Sequence, residues 1–419
     1  MSTTAQPSGR IAIVAHTHPS LSKGGAEIAA YALFKGLLNL GREAIFVAAC
    51  PHGDERRITL DSAREKAVFY APERYESFYH LSPRPVVDQL RAVLRTERVG
   101  LVNFHHFLNL GINSVRAVAT DRGVTTALTF HEYLAICHHH GQMVTHPDRR
   151  LCENGEAIRC AACFPQFSRQ QFQQRRRLML ETFDQVGGFI SPSRFLAGRM
   201  TEWGLPPERI EVVDNGLRLE QARRQPCQLD PKAPCVFGFF GQITPFKGVD
   251  VLLDAAEILA RNPVLAERAR IRIFGNFVGL ADDFLGRFQA LVKTLPLLDY
   301  AGPYANEDVQ QLMGECHYVV IPSTWWENSP LVVQEAATAG CPVVCPGIGG
   351  LGEKVTHGRS GLYFRRGDGA DLARTIAEAM ADGVLTKLRA GLPTPRDSVT
   401  MAREYLDAFD RITAWSRNA

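Results

Sequence analysis

Cys235-Val236-Phe237-Gly238-Phe239-Phe240-Gly241 is the stretch that decides the fold. An apolar run of this length suits a buried strand of a parallel sheet, and it restarts a pattern that Ile11-Ala12-Ile13-Val14-Ala15 begins once already. From Ile11 the chain passes through Ser22-Lys23-Gly24-Gly25 into a segment from Ala26 to Phe34 with apolar residues at helical spacing, ending near Gly41. Further strands are predicted near 44–48, 101–104, 124–130 and 186–190. Between Leu217 and Pro234 the periodicity fails in a stretch rich in Arg, Gln and Pro, including Pro226, Pro231 and Pro234. After Gly241 the alternation repeats, with strands near 271–274, 318–321, 342–345 and 361–364.

Strands that alternate with helices form parallel sheets covered on both faces. The fold class is therefore α/β, with two Rossmann-like, doubly wound domains facing a cleft. The expected organisation is an N-terminal domain over 1–216 with a Cys-rich insertion at about 137–163, a linker over 217–234, a C-terminal domain over 235–395, and a helix over 396–419 crossing back to the N-terminal domain. In this plan ligands meet the carboxyl ends of the strands. With 419 residues, 45% hydrophobic and 22% charged, the chain has room for two globular domains, and a net charge of +3 gives no sign of nucleic-acid binding. No apolar run reaches eighteen residues, and Met1 to Ser8 lacks a basic-then-apolar leader, so a cytoplasmic location is expected.

The stretch Pro322-Ser323-Thr324-Trp325-Trp326-Glu327-Asn328-Ser329-Pro330-Leu331-Val332-Val333-Gln334-Glu335-Ala336-Ala337-Thr338-Ala339-Gly340-Cys341-Pro342 carries the chemistry. Ser329 reads as an N-cap, Pro330 as the first helical residue, and Gly340 with Pro342 as the stop, which predicts a helix over 330–339. Unpaired amides at 329–331 and the helix dipole make an anion site suited to phosphate. Glu327 precedes it and Glu335 lies about 8 Å further along, so the two carboxylates flank a bound diphosphate at hydroxyl-binding positions. An isolated pair of this kind is otherwise a solvated helix residue and a dipole-compensating one. In Gly241-Gln242-Ile243-Thr244-Pro245-Phe246-Lys247-Gly248, a lysine before a helix start works against the dipole, which favours an anionic partner for Lys247. Gly24 and Gly25 suit close backbone approach to a ligand, though Gly-x-Gly-x-x-Gly is absent, which argues against a nicotinamide enzyme.

The spacing Pro-Ser-(x)-Glu-(x)-Glu-Ala-(x)-Ala-Gly-(x)-Pro-Val-Val resembles the donor-site signature of the family-four retaining glycosyltransferases (glycosyl transferases group 1), which have the GT-B fold. Gly349-Gly350 with Glu353, Gly358-(x)-(x)-Gly361-Leu362, Gly24-Gly25-Ala26-Glu27 and His131 in Thr129-Phe130-His131-Glu132-Tyr133 continue the resemblance. It implies transfer of a sugar from a nucleoside-diphosphate sugar to a hydroxyl of a glycan or glycolipid in polysaccharide biosynthesis, with retained anomeric configuration. No metal or other cofactor takes part in that catalysis. In this reading His131, Lys247 and Glu327 are catalytic: His131 donates to a donor-sugar hydroxyl, Lys247 stabilises the departing diphosphate, and Glu327 holds the sugar. Gly24, Gly25, Gln242, Lys247, Asn328, Ser329, Pro330 and Leu331 surround the donor, Glu335 holds the ribose, Tyr304 in Ala301-Gly302-Pro303-Tyr304 lies beside the nucleoside, and domain closure aligns the reactants. The family usually has arginine where this chain has Gln242, so more of the phosphate charge falls to Lys247. Two rival readings are a nucleotide-sugar epimerase on the same fold and an inactive nucleotide-sugar-binding scaffold.

Cys137, Cys152, Cys160 and Cys163 cluster in a segment of poor periodicity, and Cys160-Ala161-Ala162-Cys163 has metal-knuckle spacing. In a reducing compartment this is a candidate structural zinc site, with free thiols the alternative and His138, His139, His140 and His146 as further ligands. Cys50, Cys227, Cys235, Cys316, Cys341 and Cys345 read as small core residues. The segment from Phe164 to Phe183 is basic and aromatic on one predicted helix. It suits peripheral contact with an anionic membrane, or ordinary packing of Phe172, Leu178, Met179 and Phe183 with Arg175, Arg176 and Arg177 solvated.

Overall fold

The computed structural model describes residues 9–22, 24–218, 227–228, 230, 233–279 and 281–418. Most of the predicted linker, with Pro226 and Pro231, lies outside the described residues, as do Met1 to Ser8 and Lys23. The chain divides into two units, Met1–Arg218 with Arg396–Ala419, and Leu219–Pro395.

The first unit carries strands β1 (Arg10–Ala15), β2 (Ala44–Pro51), β3 (Glu65–Tyr70), β4 (Val99–Phe104), β5 (Thr125–Thr129), β6 (Gly188–Ser191) and β7 (Ile210–Val212). All pair in parallel, in the order β3-β2-β1-β4-β5-β6-β7. The order reverses between β1 and β4, and the loops that leave the carboxyl ends of such strands diverge at that switch point. The core joins Ile11, Phe34, Phe46 and Ile190 to Tyr405, Phe409 and Ile412. The last three come from the C-terminal helix Ser398–Asn418, which packs on helix Gly25–Asn39. Backbone hydrogen bonds from Leu217 to Arg396 (2.9 Å) and from Ser398 to Leu217 (2.8 Å) fasten its start to the unit.

The second unit carries β8 (Cys235–Phe240), β9 (Ala269–Phe274), β10 (Leu298–Gly302), β11 (Tyr318–Val320), β12 (Val343–Pro346) and β13 (Gly361–Phe364). Its sheet is again wholly parallel, ordered β10-β9-β8-β11-β12-β13, with its switch point between β8 and β11. Side chains alternate between two cores, as the pleat requires. Phe237, Phe239, Ile271, Ile273, Tyr318 and Val320 fill one face. Phe240, Phe274, Val319 and Ile321 fill the other.

Helix Arg169–Asp184 starts in a capping box made by Ser168 and Gln171. Phe172, Met179 and Phe183 are buried as packing predicts, but Arg175 is buried rather than solvated. Its guanidinium donates to the carbonyls of Phe78 and Ala135, each at 2.8 Å, and of Leu134, so the helix ties down two neighbouring loops. Five of the six scattered cysteines are buried, whereas Cys227 is half-buried with its sulphur 3.6 Å from His317 Nε2. No helix among the described residues is long and apolar enough to cross a membrane.

Candidate active site

In the second unit the loops after β8 and β11, the two strands that flank the switch point, are fastened to one another. Gly248 adopts φ +71°, and a Cβ there would fall 1.9 Å from the Pro322 carbonyl oxygen, so only glycine admits this approach. The Thr324 amide donates to Phe246 O at 2.9 Å. Lys247 is thereby placed against Glu327: Nζ lies 2.7 Å from Oε1. Ser323 Oγ (2.7 Å) and Trp325 Nε1 (2.9 Å) donate to the same oxygen, and the ammonium stands 5.5 Å from the centre of the Trp325 ring. Burial would raise the Glu327 carboxyl, but the Lys247 charge and the three hydrogen bonds outweigh it and hold the group below the usual carboxylate value. Glu327 is therefore an anion at neutral pH, fixed in position.

The Glu327 backbone is held as firmly. Gly350 donates to Glu327 O at 2.7 Å, and a Cβ on Gly350 would lie 1.5 Å from Asn328 O. The Gly349-Gly350 pair is thus explained by close approach of helix Gly349–Lys354 to the loop. The helix that follows that loop is Leu331–Thr338, two residues shorter than predicted. Pro330, not Ser329, occupies the cap position, without a side-chain cap, because its ψ of 122° is extended; it is not the first helical residue. Gly340 at φ +74° lies just past the helix end. Glu335 is half-buried, and burial pushes its carboxyl up to about 7, so a neighbour that donates hydrogen bonds would be needed to hold it charged. Tyr304 lies edge-on to Phe240 at 5.7 Å and close enough to Glu335 to feel its charge, while Gln242 is exposed.

In the first unit, His131 follows β5 and joins a histidine cluster that sequence reasoning missed. Thr129 Oγ1 donates to Asn103 Oδ1 (3.1 Å), which turns Asn103 Nδ2 toward His105 Nε2 (3.0 Å). His105 must then carry its proton on Nδ1, which lies 2.9 Å from His131 Nε2. His131 accepts there and keeps its own proton on Nδ1. Burial, with nearby His106 and His16, lowers His131 to about 3, so its ring is neutral at pH 7. A donor to a hydroxyl fits this tautomer; an imidazolium acid does not.

Four further groups complete the cluster. His106 Nδ1 accepts from the Leu108 amide, so Nε2 bears the proton and donates to Glu132 Oε1 at 3.2 Å. Burial raises Glu132 to about 8. Glu27, one turn into helix Gly25–Asn39, lies 3.4 Å from His16 Nε2; burial alone would raise it, but the hydrogen bond and charge of His16 bring it to about 2. Gly24 is the residue before that helix, and a Cβ on Gly25 would meet nothing within 4 Å. The signal that marked this cluster was His105-His106 at the end of β4, beside the switch point. Cys137, Cys152, Cys160 and Cys163 line one cavity in the same unit.

Two doubly wound, wholly parallel domains, each with polar groups gathered at its switch point, define the GT-B class. Residues 23–221 match the model described as Glycosyltransferase Family 4 and residues 234–382 the one described as Glycosyl transferases group 1. The chain belongs to this family of glycosyltransferases. D-inositol 3-phosphate glycosyltransferase of Stackebrandtia nassauensis is 34% identical over 187 residues, 44% of this chain and 41% of the relative. The protein of the same name from Nocardioides is 31% identical over 233 residues, 51% of each. The chain thus matches about half the length of these curated relatives. Anabaena Alr3699/HepE, crystallised with UDP, shares the fold at a TM-score of 0.68 and 18% identity, over 96% of this chain and all (100%) of that one. Sucrose-phosphate synthase from Thermosynechococcus elongatus does so at 0.73 and 16%, over 97% and 99%.

Proposed function

We propose that the chain transfers a sugar from a nucleoside-diphosphate sugar to a hydroxyl acceptor, with retention of configuration and without a catalytic metal. The observation that carries this reading is the Lys247–Glu327 pair, fastened at 2.7 Å next to a helix start whose amides lie along the same loop. Lys247 and the amides of Ser329 and Leu331 take the diphosphate and stabilise charge as it develops on the leaving group, a preorganised interaction of the kind that lowers barriers by several kcal/mol. All three donors to Glu327 converge on Oε1, which leaves Oε2 for a donor-sugar hydroxyl. Glu335 accepts from the ribose hydroxyls, and that contact favours its charged form. In the first unit His131 donates through Nδ1 to a sugar hydroxyl.

The matching HepE structures hold UDP and UDP-glucose, and the curated relatives are named for inositol 3-phosphate, so these are the first donor and acceptors to try. Glycans and glycolipids follow, in keeping with a polysaccharide-building role. A thermal-shift screen over UDP-, GDP-, ADP- and TDP-sugars identifies the donor, since a ligand that binds only the folded state raises stability by mass action. Nucleotide release is then followed with each acceptor, with no divalent metal added. Acceptor-dependent release with an α-linked product from an α-linked donor is expected. Conversion without acceptor would make the chain an epimerase, and binding without turnover a scaffold.

A further inference from the structure

The Cys-rich segment between β5 and helix Arg169–Asp184 has no part in the transfer chemistry, and its construction is specific. Its first half is a hairpin: Val144 and Leu151 pair antiparallel, and the Cys152 amide donates to Met143 O at 2.8 Å. Cys137 enters the hairpin, with its own amide bonded to Tyr133 O at 2.8 Å, and Cys152 leaves it. The second half is helix Ala157–Cys163, on which Cys160 and Cys163 lie three residues apart and share a face. All four thiols line one cavity of about 540 Å³ between hairpin and helix.

Two surrounding features concern charge. The amides of His139 and Met143 donate to the Cys137 sulphur. Arg175 is buried beside Cys137, Cys160 and Glu132, and its hydrogen bonds all go to neutral carbonyls, those of Phe78, Leu134 and Ala135. A buried guanidinium bonded only to carbonyls is costly unless an anionic centre lies close by. Four thiolates around one zinc dication leave a net negative charge of just that kind.

We propose that Cys137, Cys152, Cys160 and Cys163 bind a structural zinc ion, with Arg175 as the buried counter-charge. Among the described residues no three His, Cys, Asp or Glu side chains already stand at metal-holding geometry, so binding requires the four thiols to move inward across the cavity. Zinc binds thiolates, so it displaces the four thiol protons as it enters. The bound ion fixes the segment that begins at His131 and Glu132. Four protein ligands leave no open position, so the ion does no catalysis.

The test is metal analysis of the full chain purified from zinc-supplemented cells. About one zinc per chain is expected, retained in Cys227→Ser and lost in the Cys160→Ser, Cys163→Ser double variant. Since that variant may not fold, wild-type protein is also reconstituted with cobalt, which should show intense thiolate charge transfer and the visible bands of a tetrahedral site. Zinc-free wild-type protein that gives no such cobalt spectrum overturns the proposal. So does iron with acid-labile sulphide in place of zinc, or disulfides among the four cysteines.

Discussion

Glu335→Gln should stabilise the ligand-free protein while it weakens the donor site. Folding raises the Glu335 carboxyl from its usual 4.5 to about 7 because the group is half-buried beside Tyr304 and the helix start. A carboxyl whose folded pKa lies above its unfolded one favours folding while protonated. That contribution is full below about pH 4.5 and is lost as pH rises through about 7. At 1.36 kcal/mol per pH unit, the rise amounts to about 3 kcal/mol at most, and residual solvent contact reduces it to about 1–3 kcal/mol. Glutamine has the same shape and does not titrate. The variant should therefore exceed wild type in stability at pH 8 by about 1–3 kcal/mol and match it near pH 4.5. Urea unfolding of both proteins at pH 4.5, 6, 7 and 8, without nucleotide, measures the difference. An advantage that does not change with pH, or a variant less stable at pH 8, would refute the reasoning. In the active protein the same change removes the proposed contact to ribose hydroxyls, which alter little during reaction, so KM for the donor should rise with kcat near wild type.

Lys247→Ala should act on rate instead: kcat falls more than donor KM rises, because charge on the leaving diphosphate is greatest in the transition state. The variant also leaves Glu327 with only Ser323 and Trp325, so urea unfolding should show a loss of about 1–3 kcal/mol, and a folded variant with wild-type kcat would move the donor site elsewhere. His131 is neutral across the working range, so the pH–rate profile between 5 and 8 should carry no inflection that His131→Ala removes, although the substitution lowers kcat/KM by about tenfold, the worth of one hydrogen bond. Gly350→Ala would set a Cβ 1.5 Å from Asn328 O; the displaced 327–329 loop should cost about 1–3 kcal/mol and weaken donor binding in a thermal-shift titration, whereas Gly25→Ala, with nothing within 4 Å, should leave stability unchanged.

Every strand with sheet neighbours on both sides was legible in the sequence, and so was one edge strand, β13. Ile11–Ala15 and Cys235–Phe240 are almost wholly apolar because both faces are covered, and that run is readable without a structure. The three strands that escaped, β3, β7 and β10, are all sheet edges, where polar residues such as Glu65 and Lys66 in β3 and Asp299 in β10 interrupt the apolar run. An edge strand is fixed by its partner's backbone more than by its own pattern.

The same division holds for the chemistry. The sequence pointed to Lys247, Glu327 and the glycines around them because each lies at a helix start or turn, where local backbone demands name the residue type, and to Glu335 by its spacing along the helix that follows. By itself the sequence determined the parallel α/β plan, its single restart at Cys235 and the loops that carry charge. Only the tertiary structure decided that Lys247 and Glu327 share one hydrogen-bonded centre across 80 residues, that His131 takes its proton position from Asn103 through His105, and that Arg175 is buried among carbonyls. Those outcomes depend on which groups meet in space and how much water they exclude, and no residue's neighbours in the chain specify either.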